Sequence, residues 1–351
     1  FNFIVSHDNE RLYPSRENKA GKLTNMKLGN LLEMPIRIYE KRSKIPGSIF
    51  RKYIFLRKKL DGNWPKKFDI EKYIYVNSIV DEEIKFSKSL PPIEILIVVK
   101  PEDFKLLEKV VQNSIIATKN PISKIILIVP DSDINATLSK EFLRVEHGIS
   151  TIVEPESKYV TDEEISLIRE NLPKRYGWIL QQILVARYVL KSAAKGVLVI
   201  DADTILLKSR VWLDDFRNQV LIPTQEFNYP YYDFLQNISS IYSDSRQSFV
   251  SHHMLMQPII LREIHDAIGI TITDLLRRAL NYAYQVQSNS PFDLKYEPYA
   301  QYLIKQYGSK VKFAKWANLS ISRKEFHKMT PSHLNKLKYT YSSLSVHHWN
   351  E

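Results

Sequence analysis

At 351 residues the chain is long enough to bury one large core or two smaller ones, and 9 Gly and 17 Pro against 44% hydrophobic residues argue against a low-complexity or disordered protein. It contains no Cys, which excludes disulfides, thiolate nucleophiles, iron–sulfur clusters and Cys-ligated zinc. The net charge of +11 is concentrated in residues 41–67, where Lys41, Arg42, Lys44, Arg51, Lys52, Arg57, Lys58, Lys59, Lys66 and Lys67 face a single acid, Asp61. Within that window, residues 49–60 have the pattern of a basic amphipathic segment. Such a segment suits an anionic membrane surface, a lipid-diphosphate or acidic glycan, or a solvated helix packed by its aromatic side. Nucleic acid is the least expected partner, because no helix-turn-helix, zinc-finger or aromatic RNA-binding signature accompanies the charge.

Residues 1–90 read as a basic accessory region of short mixed segments, broken at Pro35, Pro46, Gly62 and Pro65 and closed by Pro91 and Pro92. From Ile93 the pattern changes. Residues 93–99 predict a strand, 102–118 a helix, 124–129 a second strand and 149–153 a third. A mostly helical stretch follows over 162–190, then a turn at Gly196 and a fourth strand from Val197. This alternation predicts an α/β domain over 91–351, with a mostly parallel sheet and helices on both faces. No Gly-x-Gly-x-x-Gly and no P-loop follows the first strand, which disfavours a dinucleotide-binding fold and a P-loop kinase.

The fourth strand carries the most informative residues. Val197, Leu198, Val199 and Ile200 form an unbroken apolar run, as in a strand covered on both faces, and it ends in Asp201, Ala202 and Asp203. Parallel sheets bind ligands at the carboxyl ends of their strands. In extended backbone alternate residues point the same way, so Asp201 and Asp203 are expected to face one ligand while Ala202 faces the protein. Two hard carboxylates suit Mg²⁺ or Mn²⁺ held on a substrate phosphate. A polar turn closing a strand is the competing reading of the bare tripeptide.

The helical stretch with Gln181 and Gln182, the strand ending in Asp-x-Asp, and the later segments around His252 and His253, Glu297 and Tyr299, and His347, His348 and Trp349 together resemble the GT-A glycosyltransferases. In order and spacing these motifs are similar to an uncharacterised family of Asp-x-Asp nucleotide-sugar transferases found in bacteria and large viruses. The match covers roughly residues 92–351. The resemblance implies a GT-A, Rossmann-like fold with a donor half over about 91–210 and an acceptor half over about 211–351. It implies transfer of a sugar from a nucleotide-diphosphate sugar to a hydroxyl of a glycan or glycolipid in surface polysaccharide or glycoconjugate synthesis, with Mn²⁺ or Mg²⁺ on the diphosphate.

Residue by residue, the resemblance puts Asp201 and Asp203 on metal and donor, and His347 or His348 as a third metal ligand. Alternation allows only one of those two imidazoles to face the ion. Lys100, after the first strand, would contact nucleotide or phosphate, unless it is an ordinary strand-end Lys. Glu154, past the third strand, would meet base or ribose. Gln181 and Gln182 would reach sugar or pyrophosphate, with one of the two expected in solvent. Glu297, at a predicted helix start beside Pro298, is the expected general base for an inverting reaction, and a helix-capping acid is the alternative. His252 and His253 are the other catalytic candidates, of which alternation lets at most one reach the centre. The aromatic run over 227–234 lines an acceptor cleft or forms a core. Alternatives to transfer are a sugar nucleotidyltransferase, disfavoured by the lack of Gly in residues 99–103, and a catalytically silent glycan-binding protein of the same fold. The expected location is cytoplasmic, with peripheral membrane contact through residues 41–67.

Overall fold

A computed structural model of the chain describes residues 86–139, 148–224, 227–243, 247–286, 288, 290–315, 317–339 and 341–347. All of them belong to the unit Phe68–Glu351. The basic window 41–67 and His348 lie outside the described residues.

The central sheet has five strands. In chain order these are β1 (Ile93–Val98), β2 (Ile122–Val129), β3 (Ser150–Pro155), β4 (Val197–Asp201) and β7 (His253–Met256), arranged β3-β2-β1-β4-β7. β1 to β4 run parallel, and β7 closes the β4 edge antiparallel. The unbroken apolar runs have the cause expected of them, because both faces are covered. Ile93, Ile95 and Ile97 pack with Leu106, Leu107, Val110 and Val111 of α1 (Phe104–Ile116). Leu96 and Val98, on the opposite face, pack with Leu180, Leu184, Val185 and Val189 of α4 (Tyr176–Lys191). The fold is therefore the mixed α/β, mostly parallel arrangement that the alternation predicts, and it is Rossmann-like, as the resemblance implies.

The remaining short strands are β5 (Thr204–Leu206), β6 (Gln219–Leu221), β8 (Val311–Phe313), β9 (Asn318–Ser322) and β10 (Ser343–His347). They form a three-stranded sheet β5-β10-β9 and a parallel pair β6-β8. Helices α2 (Ile134–Leu138), α3 (Asp162–Asn171), α5 (Tyr229–Ile238), α6 (Pro258–Ile268), α7 (Ile272–Val286), α8 (Tyr296–Tyr307), α9 (Arg323–His327) and α10 (Pro331–Leu337) complete the order. The stretch 162–190 divides into α3 and α4 at Pro173, where Pro denies the chain an interior helical donor. Most of the aromatic run folds as α5, where Tyr231, Tyr232 and Phe234 are buried in the core, while Phe227, before the helix, and Tyr229 are half-buried. No described helix is long and apolar enough to cross a membrane.

One buried ion pair ties the helical layer together. Arg187 on α4 donates from Nη1 to Glu164 Oε2 at 2.6 Å and from Nη2 to Glu164 Oε1 at 2.5 Å, while Thr273 on α7 donates its hydroxyl to Oε1 at 2.6 Å. Glu164 also closes the capping box of α3 with Thr161. Burial alone would push its carboxyl up, but the guanidinium, the Thr273 hydroxyl and the Thr161 backbone hold it at about 2, below its ordinary 4.5. A depressed carboxylate contributes stability above its unfolded value and loses it as pH falls. Glu164→Gln is therefore expected to cost about 3 kcal/mol at neutral pH and to flatten the acid-side loss of stability between pH 4.5 and about 2. Denaturant titrations of both chains at pH 7 and pH 3 check this.

Candidate functional site

From β1 the chain builds β2 and β3 on one side and then returns to place β4 on the other, with Val98 opposite Asp201. Loops leaving two neighbouring strands in opposite directions open a crevice at their carboxyl ends. The segments that meet at these strand ends are the Lys100–Asp103 turn after β1, the Asp201–Asp203 turn after β4, His252 just before β7, His347 at the end of β10, and Arg323 at the start of α9.

Asp201 is the best-anchored group. Its Oδ1 accepts from Lys295 Nζ at 2.7 Å, Gln181 Nε2 at 3.0 Å and the Tyr296 hydroxyl at 3.0 Å. The Lys295 side chain is only 5% exposed, and its ammonium lies 4.0 Å from the centre of the Tyr296 ring. Burial would push the Asp201 carboxyl up. Lys295 and His252 more than offset that and hold it far below the carboxylate range. Local chemistry explains why Lys295 points here. The buried Asp293 carboxylate accepts from the backbone N–H groups of Lys295, Tyr296 and Glu297 at 3.0, 3.0 and 2.7 Å, and so caps α8. Gln182 Oε1 accepts from Leu294 N–H at 2.5 Å and fixes the preceding residue.

Between Asp201 and Asp203 the backbone turns rather than staying extended. Ala202 is buried as expected, but the two carboxylates meet different partners. The Asp203 carbonyl accepts from Val346 N–H at 2.8 Å, which brings in the end of β10. There His347, with its side chain 5% exposed, places Nδ1 3.3 Å from Asp203 Oδ2.

His252 joins the two halves. It has φ +62°, a left-handed conformation that few residues other than Gly adopt, although His, Asn and Asp do so more readily than most. Its carbonyl accepts from Asp201 N–H at 2.9 Å, its Nδ1 stands 3.4 Å from Asp201 Oδ2, and its ring centre is 5.3 Å from that of His347. Asp103 adds a third carboxyl. Burial, then the neighbouring Asp203 charge, push it up to about 6, against the opposing pull of Lys100 and Arg323. Arg323 holds it with an Nη2 contact of 2.6 Å to Oδ1.

Several sequence expectations need correction. His253, the first residue of β7, lies away from the crevice, set apart from His252 by the left-handed backbone at that residue. It packs edge-on against Trp212, and burial pushes its imidazole down to about 3. Glu297 is sealed. It has no exposed surface, and its carboxylate accepts from Ser248 Oγ at 2.8 Å, Phe249 N–H at 2.9 Å and Gln301 Nε2 at 3.3 Å. Burial and Asp293 push it up to about 7. Gln182 is wholly buried and serves the 292–294 loop, and Gln181 is bound to Asp201, so neither Gln stands in solvent. Glu154 lies on β3, three strands from β4 and thus about 14 Å away. Its partners are Lys158 and Tyr159. Lys100 is exposed and lies over Gly177 in the first turn of α4, where an added Cβ would stand 3.6 Å from Lys100 Cε.

Lys295, Tyr296, Asp103 and Arg323 were not singled out from sequence. The first two adjoin Glu297 but form no motif of their own. Asp103 lies in the turn with Lys100, while Arg323 carries no sequence signal at all.

A divalent ion about 2.1 Å from each of two donors at right angles needs those donors about 3.0 Å apart. The 3.3 Å between Asp203 Oδ2 and His347 Nδ1 fits such a pair. Among the described residues no three His, Asp or Glu side chains are grouped to hold an ion unaided. The donor set therefore fits an ion completed by substrate oxygens and water.

No family model matches the chain, and no curated protein matches it in sequence. Among solved structures, mouse xyloside xylosyltransferase 1 in its apo form is similar at 9% identity and a TM-score of 0.41, over 74% of this chain and 99% of that one. At that level the likeness carries no functional information.

The Asp201–Lys295 pair makes a stability prediction. Removing one partner of a buried pair strands the other charge, at a cost of about 3–5 kcal/mol, whereas removing both is far milder. Asp201→Asn and Lys295→Met are each expected to be destabilised by about that much, with the double variant within about 1–2 kcal/mol of the parent. Fully additive losses in denaturant titration would show that the two charges are not coupled.

Proposed function

We propose that the chain is a metal-dependent glycosyltransferase that moves a sugar from a nucleotide-diphosphate donor to a hydroxyl of a carbohydrate or glycolipid acceptor. The observation that supports this most directly is the Asp203–His347 pair beside the anchored Asp201 at the switch between β1 and β4, in the position where open α/β sheets take phosphate-bearing ligands. Asp203 and His347 would hold a Mn²⁺ or Mg²⁺ ion. When bound, such an ion stabilises the negative charge that develops on a departing diphosphate.

The chain's own groups give the rest of the site its character. Lys100, at the mouth of the crevice, supplies an exposed positive charge on the side where a nucleotide would enter. Gln181, Lys295 and Tyr296 fix Asp201 before any ligand arrives, so the site is preorganised and needs little rearrangement on binding. Of the three proton-carrying candidates, only His252 stands at the crevice. The sealed Glu297 is not the acceptor's base.

A screen of common nucleotide-sugars for hydrolysis and transfer, with and without Mn²⁺, tests the reading. One donor is expected to turn over only with metal, and Asp203→Asn to lower that rate about a hundredfold or more, equivalent to about 3 kcal/mol. Turnover intact in Asp203→Asn, or no response to any donor in either condition, would contradict it.

A further inference from the structure

The sequence assigns both acids of the Asp-x-Asp motif to one metal ion, and their surroundings do not treat them alike. Asp201 Oδ1 already receives three donors, from Lys295, Gln181 and Tyr296, which exceeds the two lone pairs of a carboxylate oxygen. Its Oδ2 faces His252 Nδ1 at 3.4 Å. A divalent ion on either oxygen would stand close to a buried ammonium that has no solvent into which to retreat, since the Lys295 side chain is 5% exposed. Asp203 differs. Its side chain meets Thr204 Oγ1 at 3.3 Å and His347 Nδ1 at 3.3 Å, and among the described residues no Lys or Arg forms an ion pair with it.

We propose that Lys295 is a positioning residue that acts as the built-in cation of this site: it balances Asp201 and keeps it off the metal, which leaves Asp203 and His347 as the protein's ligands to a divalent ion. This deepens the metal-dependent reading above and rests on it. Asp201 then serves as the anchor that joins β4, α4 and the start of α8, and it fixes the position of His252. Lys295 neutralises Asp201, so the ion meets Asp203 as the one carboxylate of the acidic pair not already matched by an ammonium.

The probe is Mn²⁺ alone, titrated into the full chain and followed by the electron paramagnetic resonance of the free ion. Thermal unfolding shows that each variant is folded. Asp203→Asn and His347→Ala are each expected to weaken Mn²⁺ binding by about tenfold or more. The Asp201→Asn/Lys295→Met double variant, which removes both charges together, is expected to change it less than about threefold. Lys295→Met alone is expected to tighten it by about fivefold or more, because a freed carboxylate then stands beside the ion.

Loss of Mn²⁺ in the double variant as deep as in Asp203→Asn would overturn the inference and leave the metal-dependent reading standing. Unchanged affinity in Lys295→Met would overturn it as well. A parent chain silent to Mn²⁺ beside a responsive Lys295→Met would contradict binding at Asp203 and His347 and overturn the inference, and the donor screen would then decide the metal-dependent reading.

Discussion

A charge buried at the tip of a strand must be paired, and the site grows out of how this chain pairs one. Asp201 ends β4 inside the protein, and the Lys295 ammonium at 2.7 Å is the group that lets it remain ionised there. That ammonium cannot be placed loosely. The Asp293 cap and the Gln182 contact hold the backbone of 293–297, and α8 begins where it does because those donors are satisfied. One electrostatic requirement thus sets the relation of β4, α4 and α8, and with it the wall of the crevice.

From that anchor a line of polar contacts crosses to the small sheet. His252 faces Asp201 and stands beside His347, and His347 faces Asp203. β9 runs parallel to β10, with Ser322 opposite His347, so Arg323 emerges at the same end and reaches Asp103 in the turn after β1. Strands from two sheets contribute to one site because β5 follows the Asp-x-Asp turn directly and pairs with β10. The turn at Asp203 that upset the expected alternation is what lets the chain pass from the first sheet to the second. It also separates the surroundings of the two acids, one paired with an ammonium and one with an imidazole.

Much of the fold was legible because its signals are local. The apolar runs of β1, β2 and β4, the helix between the first two strands and the Asp-x-Asp position follow from period and burial. Strand alternation predicts that only one of His252 and His253 reaches the site, but it is the left-handed backbone of His252, just before β7, that divides them. Other features were illegible because they depend on contacts far apart in the chain. Lys295 meets Asp201 across 94 positions and Arg323 meets Asp103 across 220, and neither spacing leaves a pattern. Glu297 misled for a related reason. A Glu at a helix start looks available to ligand, but here the capping is done by Asp293, and Glu297 turns inward to the Ser248 hydroxyl and the Phe249 N–H. The aromatic run was ambiguous because stacking surfaces and core surfaces use the same side chains, and burial assigns Tyr231, Tyr232 and Phe234 to the core.

The central claim is that the two acids have different duties, Asp201 as an ion-paired anchor and Asp203 as a ligand. The most direct measurement is a crystal structure with Mn²⁺ and a nucleoside diphosphate, with the ion located by its anomalous scattering. The account predicts a peak about 2.1 Å from both Asp203 and His347, with Lys295 still against Asp201. A peak coordinated by Asp201, with the Lys295 ammonium displaced from it, would contradict the account.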